Sequence, residues 1–490
     1  MAFGSNNGGK YKKYLIIGLI NLTLQFILNL TLCASQPQQL SSKNDSIILQ
    51  VQQQLSVFEH SEKLNFPKTV KRFYKLIENH PNWLRPEDRI SPTISAMLLL
   101  DCVRQFGLKR ENYHPGILSY ENMYKALKPE QHSDPLPRVQ FEIMLTDALI
   151  SIINNLHYGA FNPNLPQSKI DNGVAGGLNA EIFLLQIKDS AVLMDSILTV
   201  QPKIDQYKQL QGYMKLIAGQ YICDSYETPE ETVKAILINL ERLRWMNTGG
   251  ETYIHINIPS YQLFYHTPNT HKEFKVVVGK PATPTATLAS AISYLETAPD
   301  WRIPNRIFIN ELLPKAIKDH SFFRNNHMAV YTQQENFIPI NKSTLTQIKQ
   351  NPKLYHAKQT TGCDNALGKV VFRFPNNYGI YLHDTPEQNY FAKTKRAFSH
   401  GCIRVEHAAE LASLIMKNDS QYAQVPVLEK AMSNYVKQRF PLKKPIAIFI
   451  TYLTITVEDQ LLVTHEDNYG LDKALLKRIF GEPVELTKNQ

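Results

Sequence analysis

The stretch YLHDTPEQNYFAKTKRAFSHGCIR, residues 381–404, contains the two polar motifs on which the interpretation of this 490-residue chain depends. His383 follows a short strand-like run, and Cys402 stands 19 positions later in a Gly-Cys loop. A histidine at a strand end can come within hydrogen-bond reach of a cysteine in a facing loop. A nearby imidazole also helps a thiol to form the nucleophilic thiolate near neutral pH. The stretch therefore predicts Cys402 as a nucleophile and His383 as its base.

The residues on either side of Cys402 fit acyl-transfer chemistry. Gly401 allows a tight backbone turn that exposes successive N–H groups, which suits an oxyanion hole. Loss of one such donor typically raises the barrier by about 2.7–4 kcal/mol. Arg404 could hold a substrate carboxylate and lower the pKa of the thiol, and the alternative is a solvent-facing arginine.

Asp384 directly follows the predicted base, but adjacent residues of a strand point to opposite faces. We therefore expect a backbone carbonyl, rather than this carboxylate, to orient the imidazole of His383. Cys363 has no neighbouring histidine motif and is expected to be an ordinary loop thiol.

A metal-dependent hydrolase is the alternative chemistry for the same region. Its zinc ligands would come from His383, His400, Cys402 and His407. No HExxH-type pair is present in the sequence, and a Gly-Cys loop suits acyl transfer better than zinc binding. The sequence therefore favours a cysteine nucleophile without a metal or cofactor.

Hydrophobic periodicity divides the chain into a helical part and a mainly β part. Apolar residues at helical spacing predict a helical domain over 51–245, and alternation beginning at Ile254 predicts a mainly β domain over 250–460. An apparently helical insert over 285–345 interrupts the strands, and inserts of that length are usually lids or partner surfaces. A helical segment over 461–490 closes the chain. The predicted fold class is α+β, with a capping insert in the β domain.

Three apolar stripes predict which helix faces are buried. The first comprises Leu145, Leu149, Ile152, Ile153 and Leu156. The second comprises Val233, Ile236, Leu237, Leu240 and Leu243. In the third, Ile94, Leu98, Cys102 and Phe106 recur every four residues, so Cys102 is expected on a buried face.

The N-terminus has the layout of an export signal or a single membrane anchor over 1–35. Lysines precede an uncharged, mostly apolar run from Tyr14 to Ala34, and a polar linker is expected over 36–50. The run is close to the roughly 20 residues that span a bilayer, yet small residues near Ala34 would suit cleavage. Cleavage and anchoring in the inner membrane both stay open, and a buried helix of a cytosolic protein is the third alternative.

Composition excludes several other classes of protein. The net charge of +9 is scattered along the chain without a basic stretch, which argues against nucleic acid as a partner. The five cysteines form no CxxC pair, so neither a zinc ribbon nor a disulfide framework is expected. A hydrophobic content of 43% is sufficient for a sizeable core.

The order His, spacer, Ser-His-Gly-Cys, aliphatic residue and Arg resembles the signature of YkuD-type L,D-transpeptidases. The likeness extends over about residues 230–460 and is similar to the large, scaffold-bearing periplasmic members of that family. Further stretches that carry it are Tyr253–Pro259, Val276–Pro281, Trp301–Pro304, Asn365–Gly368 and Phe372–Pro375. The small peptidoglycan-binding module that such members often carry is not recognisable over 160–230.

The resemblance implies an activity and its partners. Cys402 would attack the carbonyl of the third residue in a donor tetrapeptide stem of peptidoglycan, release the terminal D-alanine, and pass the acyl group to an amine on an acceptor stem. Carbapenem-type β-lactams would acylate the same cysteine. The location would be periplasmic. A hydrolase of the same fold, which gives the acyl group to water, and a non-catalytic wall-binding scaffold are the alternatives.

The resemblance also implies roles for the residues around the cysteine. The residues that would line the site are Ser399, Gly401, Tyr381 and Arg404. His400 would have a structural role beside the oxyanion loop, with a role as base the less favoured alternative. Trp301 would lie in the insert that caps the substrate, and the alternative is that it belongs to the core of that insert.

Overall fold

The structure is a computed structural model that describes residues 37–59, 63–84, 92–128, 134–187, 189–219, 229–246 and 250–481. These residues form two compact units. The first holds the described residues of Met1–Arg104, Leu108–Leu156 and Pro163–Val200, and the second holds those of Gln105–Gly107, His157–Asn162 and Gln201–Gln490. The predicted signal or anchor segment, 1–35, lies outside the described residues. Within the described ranges, no helix is both long enough and apolar enough to cross a membrane.

The first unit is helical, as the sequence predicts. Its helices are α1 Pro37–Glu59, α2 Pro67–Leu76, α3 Pro92–Cys102, α4 Tyr120–Leu127, α5 Leu136–Tyr158 (whose last two residues belong to the second unit), α6 Gln167–Asp171, α7 Ala180–Gln186 and α8 Leu193–Leu198. The stripe from Leu145 to Leu156 on α5 is fully buried, which confirms that prediction. The segment expected to be a linker over 36–50 is instead helical from Pro37.

Helix α3 does not bury the predicted face. Leu98 is 48% exposed, and Ile94 and Cys102 are only partly buried. The buried residues of this helix are Thr93, Ala96, Met97, Leu99 and Leu100. The sequence of α3 is apolar at most positions, so a four-residue repeat could not select the buried face. The prediction that Cys102 lies on the core face is wrong.

Two buried carboxylates on α5 hold the loops that pack against this helix. Glu142 accepts hydrogen bonds from the backbone N–H groups of residues 82–84. Asp147 accepts from the N–H groups of residues 65 and 66 and pairs with His114 at 2.6 Å. Burial raises the pKa of Glu142. Buried polar groups need such partners, so these two acids are structural.

The second unit begins with two helices and continues as a β domain. The helices are α9 Asp205–Gly219 and α10 Glu230–Arg244. On α10, Ile236, Leu240 and Leu243 are fully buried, which confirms the second stripe. The strands in chain order are β1 Tyr253–Asn257, β2 Gln262–Thr267, β3 Thr270–Gly279, β4 Leu288–Thr297, β5 Trp301–Arg302, β6 Met328–Thr332, β7 Phe337–Ile338, β8 Tyr355–Gln359, β9 Val370–Arg373, β10 Leu382–His383, β11 Ala397–Ser399, β12 Ile403–Val405, β13 Gln438–Thr451, β14 Ile455–Glu458 and β15 Leu461–Thr464.

The main sheet closes on itself as a barrel. Its strands follow the order β3, β12, β10, β9, β4, β13, β1 and β2, and β2 pairs again with β3. Most neighbours are antiparallel, but β1 with β13 and β10 with β12 are parallel pairs. Strand β11 adds to β3 in parallel. Alternate side chains such as Leu263 and Phe372 fill the interior, and closure leaves few free strand edges.

Two further helices, α15 Ala408–Asn418 and α16 Val425–Ser433, share the barrel core through Leu411, Ile415 and Leu428. A last helix, α17 Leu471–Phe480, confirms the predicted amphipathic segment near the C-terminus. The region over 461–490 also holds β15, so it is not helical throughout. The helices α11 to α14 lie in the insert that interrupts the barrel strands.

The insert is longer and less helical than the sequence predicts. Residues 288–297 form the barrel strand β4, so the insert begins after Thr297 and reaches the start of β9 at Val370. It contains the four-stranded sheet β5-β8-β6-β7. Its helices are α11 Asn305–Ile307, α12 Leu313–Lys318, α13 Phe322–Asn325 and α14 Lys342–Gln350, with a π-helix at Phe308–Leu312. The insert has its own apolar core around Phe308 and Phe323.

Candidate active site

Two short parallel strands place the candidate nucleophile and base. In the register of β10 and β12, Leu382 lies opposite Ile403 and His383 lies opposite Arg404. Leu382 and Ile403 are fully buried in the barrel core, so the alternate residues face the other side of the sheet. The N–H of Ile403 donates to the Tyr381 carbonyl at 3.1 Å, which sets Cys402 beside Tyr381. Cys402 and His383 are therefore diagonal neighbours on one face of the sheet.

His383 is held in one tautomer by the backbone. Its Nδ1 lies 2.5 Å from the carbonyl oxygen of Asp384, so Nδ1 carries the hydrogen and Nε2 keeps its lone pair. The expectation of a backbone carbonyl partner is confirmed. The pKa of His383 is lowered to about 3. Burial is the main cause, and the positive charges of Arg404 and Arg373 contribute to the same shift. The imidazole is therefore neutral at physiological pH, the state that a general base requires.

The thiol of Cys402 is also uncharged. Burial raises its pKa, and this outweighs the opposing effects of the Tyr381 N–H and hydroxyl and of the charges of Arg373 and Arg404. Arg404 acts in the predicted direction, but too weakly to give a thiolate. Sγ lies 3.8 Å from the Gly379 carbonyl. In the described chain the hydrogen-bond partners of Sγ are Gly379 and Tyr381, and not His383.

The loop before Cys402 is braced by Ser399. The buried hydroxyl of Ser399 donates to the Cys402 carbonyl at 2.5 Å and accepts from the Gly401 N–H at 3.1 Å. Gly401 has φ +119°, a conformation that favours glycine, and its carbonyl accepts from the Thr285 hydroxyl at 2.8 Å. Ser399 is thus a loop brace, and the prediction that it contacts substrate is not supported by its position.

The bracing also changes which backbone groups can form an oxyanion hole. The N–H of Gly401 is already bonded to Ser399, so this part of the predicted oxyanion hole is occupied by the protein itself. Among the described residues, no group accepts a hydrogen bond from the N–H of Cys402. The Cys402 N–H is therefore the better candidate donor to a developing oxyanion.

His400 contacts the insert and not the thiol. Its Nε2 lies 2.6 Å from Glu311 Oε1, and Glu311 belongs to the π-helix of the insert. This pair supports the structural role expected for His400. It also joins the loop that carries Cys402 directly to the insert.

Arg404 is not solvent-facing. Its guanidinium pairs with Glu387 and lies 5.1 Å from the centre of the Tyr390 ring, and the side chain is 18% exposed. The sequence analysis expected Arg404 to bind a substrate carboxylate. In this structure the carboxylate of Glu387 occupies that position beside the guanidinium. A substrate carboxylate would have to share or displace that partner.

Tyr381 connects the site to the insert and to an arginine that sequence analysis missed. Its hydroxyl is hydrogen-bonded to Cys402 and to the side chain of Trp301. Trp301 also packs against the apolar core of the insert, as the second expectation has it, and its role in capping a substrate stays a prediction. Arg373 lies 4.7 Å from the centre of the Tyr381 ring and pairs with Glu296 at 3.4 Å. A single charged residue within the apolar run VVFRF was the available signal.

The carboxylate of Asp384 does not bond the imidazole of His383 but supports the strand that carries it. The carboxylate accepts from the Lys369 N–H at 2.8 Å, and burial raises its pKa. It fits closely under Gly368, where φ is +61° and an added Cβ would come within 2.5 Å of Asp384 Oδ2. This contact ties the start of β9 to the strand that carries His383.

The remaining candidates do not join the site. Cys363 is an exposed free thiol, and Cys102 lies in the first unit. Among the residues that the structure describes, no three His, Cys, Asp or Glu side chains converge as a metal site, so the four zinc ligands of the alternative are not brought together.

Comparisons with known proteins show which families two parts of the chain resemble. Residues 251–428 match the model of the L,D-transpeptidase catalytic domain known as YkuD, and residues 68–214 match a scaffold domain. A Haemophilus influenzae protein named "Putative L,D-transpeptidase" is 30% identical over 245 residues, which are 49% of this chain and 48% of that protein. The chain thus spans about half the length of this curated relative.

Two solved structures show weaker likenesses. One is the avibactam carbamoyl enzyme of Ldtfm, with 13% identity and a TM-score of 0.21, covering 45% of this chain and 60% of that one. The other is a cysteine-to-serine mutant of Enterococcus faecium L,D-transpeptidase, with 10% identity and a TM-score of 0.20, covering 50% and 82%. TM-scores this low support no conclusion about this chain.

Proposed function

We propose that the protein cross-links peptidoglycan stems through an acyl-enzyme on Cys402, on the premise that residues 251–428 match the YkuD-type L,D-transpeptidase catalytic domain and residues 68–214 match a scaffold domain. The observation that carries the proposal is the placement of Cys402 and His383 as diagonal neighbours on one face of β10 and β12. The Nδ1 bond to Asp384 leaves Nε2 of His383 free to take a proton.

The proposed first half-reaction forms a thioester. Sγ of Cys402 attacks the carbonyl carbon of the third residue in a donor tetrapeptide stem while His383 Nε2 takes the thiol proton. The N–H of Cys402 stabilises the oxyanion. Collapse of the tetrahedral intermediate breaks the peptide bond, and His383 returns the proton to the amine of the departing D-alanine.

The second half-reaction reverses the roles. An amine of an acceptor stem attacks the thioester carbonyl, and His383 takes one of its protons. The intermediate then expels the thiolate of Cys402, which recovers its proton from His383. A water molecule in place of the amine would give the tripeptide instead, which is the hydrolase alternative.

The experiment is product analysis by mass spectrometry with purified disaccharide-tetrapeptide. We expect a cross-linked dimer and free D-alanine from the full chain, and neither product from Cys402→Ala. Cys363→Ser is the matched control and should keep the activity, because this exposed thiol lies outside the site. Tripeptide without dimer would replace the transpeptidase proposal by the hydrolase. The absence of any product would contradict both the transpeptidase and the hydrolase proposal.

Two further properties belong to the same proposal. We propose a periplasmic location, reached through the Lys-rich and apolar N-terminal segment as a cleaved signal or an inner-membrane anchor. We also propose that carbapenem-type β-lactams acylate Cys402.

A further inference from the structure

A cavity of about 440 Å³ lies in the second unit, apart from Cys402 and His383. One wall is the face of strands β1, β2 and β3 that carries Tyr253 and His255, opposite to the face that carries Ile254 in the barrel core. The other walls are the segment around Gln206 at the start of α9 and the turn between β14 and β15. Small-molecule sites have volumes of roughly 300–1,000 Å³, so the cavity is large enough for a ligand.

The strand wall is a row of stacked rings. Tyr253 stacks on His266 with ring centres 4.8 Å apart and planes at 25°. Phe264 lies 5.8 Å from His255 and 6.0 Å from His271, with planes at 30° and 28°. The rings come together because these residues are opposite each other in the pairing of β1 with β2 or adjacent across β2 and β3. The row gives this wall apolar ring surface against which an alkyl chain can pack.

The remaining lining is rich in negative charge. Carboxylates of Asp205, Glu273, Glu458 and Asp459 line the cavity, and among its described lining residues there is no lysine or arginine. The neighbouring Lys208 pairs with Asp205 at 3.4 Å. No lysine or arginine among the described lining residues pairs with Glu273, Glu458 or Asp459.

The histidines and one further lysine do not reverse this balance. His271 lies 3.6 Å from Glu273, and His465 lies 3.7 Å from Glu458. Lys275, opposite Gln262 in the sheet, is directed to Glu406 at 3.6 Å. Burial lowers the pKa of His255 to about 4, so it adds no positive charge near neutral pH.

Hydrogen-bonding capacity in the cavity points in the same direction. Gln262 Oε1 is buried, and the described chain offers it no donor. Both polar atoms of the Gln206 amide are engaged, because the nitrogen donates to the Val457 carbonyl at 2.9 Å and the oxygen accepts from the Val457 N–H at 3.0 Å. The carboxylates and Gln262 Oε1 can only accept hydrogen bonds, so they favour a ligand that brings N–H donors and positive charge.

We propose that this cavity binds an alkylammonium group, with the chain of the ligand along the rings of Phe264 and His266 and the ammonium among Glu273, Glu458 and Asp459. The amine belongs either to a free aliphatic diamine or to a lysine side chain of a peptide. The proposal does not depend on the reaction at Cys402.

The test is isothermal titration calorimetry of the full chain with 1,5-diaminopentane and with the isosteric but neutral 1,5-pentanediol. We expect binding of the diamine that weakens with added salt, and no binding of the diol. A second arm compares a blocked Gly-Lys-Gly peptide with its norleucine counterpart. Binding of the diamine alone identifies a free amine as the ligand, and binding of the lysine peptide identifies a peptide side chain.

The matched variants are Glu273→Gln with Asp459→Asn, against the exposed Glu231→Gln on α10 as control. We expect at least about tenfold weaker binding in the double variant and no change in the control. Hydrogen–deuterium exchange of the unmodified protein should show ligand-dependent protection within 262–273 and 457–459, which keeps the test valid if the double variant does not fold. Equal binding of diamine and diol, unchanged binding in the double variant, or no binding of either amine would overturn the proposal.

Discussion

His383 and Cys402 are both held in their uncharged forms, and burial is the main cause for each. An imidazole with a pKa of about 3 cannot keep a proton taken from a thiol whose pKa is raised. In the proposed acylation the proton must therefore move from Sγ to His383 while Sγ attacks the carbonyl.

The pH dependence of acylation tests this arrangement. Because His383 is neutral well below its ordinary pKa, we expect kcat/KM for acylation to stay level between about pH 5 and 8, without an inflection near 6.5. The measurement is the rate of acylation by a carbapenem across that range. His383→Gln should lower this rate by about 10²- to 10⁴-fold. An inflection near pH 6.5 in the unmodified protein would show that the imidazole titrates normally.

Arg373 offers a second test at the level of one residue. Its charge lowers the pKa of Cys402, so we expect Arg373→Gln to raise that pKa and slow alkylation of Cys402 at any pH near neutral. The measurement is the pH dependence of iodoacetamide labelling, followed by peptide mapping. Arg306→Gln, an exposed arginine of the insert, is the control. A lower pKa in Arg373→Gln would contradict the assigned effect.

The residues that the sequence revealed are those with chemically specific side chains in short motifs. Cys402, His383 and the carbonyl partner of His383 could be inferred because spacing and strand alternation constrain them. Glu311 could not, because it lies 89 positions from its partner His400, and Arg373 was missed although it stands as a single charge in the run VVFRF. The role of Ser399 depends on loop geometry, which no periodicity encodes.

At the scale of elements, the insert is joined to the loop of Cys402 by the pair of His400 and Glu311 and by the bond between Trp301 and Tyr381. A partly exposed ion pair contributes only about 0.2–1 kcal/mol, so this connection can open without large loss of stability. A movement of the insert would therefore change the contacts of the loop that carries Cys402.

Weakening this connection should loosen the insert before it affects stability. We expect Glu311→Gln to speed hydrogen–deuterium exchange in the π-helix Phe308–Leu312 and to slow acylation by up to about fivefold. The matched control is Glu335→Gln, in the same insert, which pairs with Lys358 and does not contact the loop. Equal effects of the two variants would show that the His400 contact has no special role.

The boundaries of the insert show where element prediction failed. Strand β4, with the sequence LASAISYLET, has only one β-branched aliphatic residue and no strict alternation, so it was assigned to the insert. The insert strands β5 and β7 have two residues each, too few for any period to show. Strands β3 and β9 are rich in valine and so carry the composition that favours strands.

At the scale of the whole molecule, buried neutral histidines make stability depend on pH. Burial lowers the pKa of His255 to about 4, whereas the unfolded chain titrates near 6.5. The unfolded state therefore binds the proton first, so the stabilisation is complete above pH 6.5 and is lost as the pH falls towards 4. For His255 alone the loss is about 3 kcal/mol.

Urea unfolding between pH 7.5 and 4 measures this effect. We expect the free energy of unfolding of the unmodified protein to fall with pH, and His255→Gln to show a shallower slope over the same range. His320→Gln, an exposed histidine of the insert, should leave the slope unchanged. Identical slopes in all three proteins would contradict the burial argument.

The α+β fold class, with a helical region before a β domain, was predictable because helical and alternating patterns occupy separate parts of the chain. Closure of the barrel was not predictable. Strand β2 pairs with β3, its neighbour in the chain, but β1 pairs with the distant strand β13. The buried face of α3 was also out of reach, because that helix is apolar on nearly all sides.

The most direct test of the central claim is intact-protein mass spectrometry after incubation with a carbapenem or a donor tetrapeptide, with peptide mapping of the adduct. The proposed chemistry requires one acyl group on Cys402, present in the Cys363→Ser protein and missing from Cys402→Ala. An adduct that persists in Cys402→Ala, or that maps to Cys363, would contradict the assignment of Cys402 as the nucleophile.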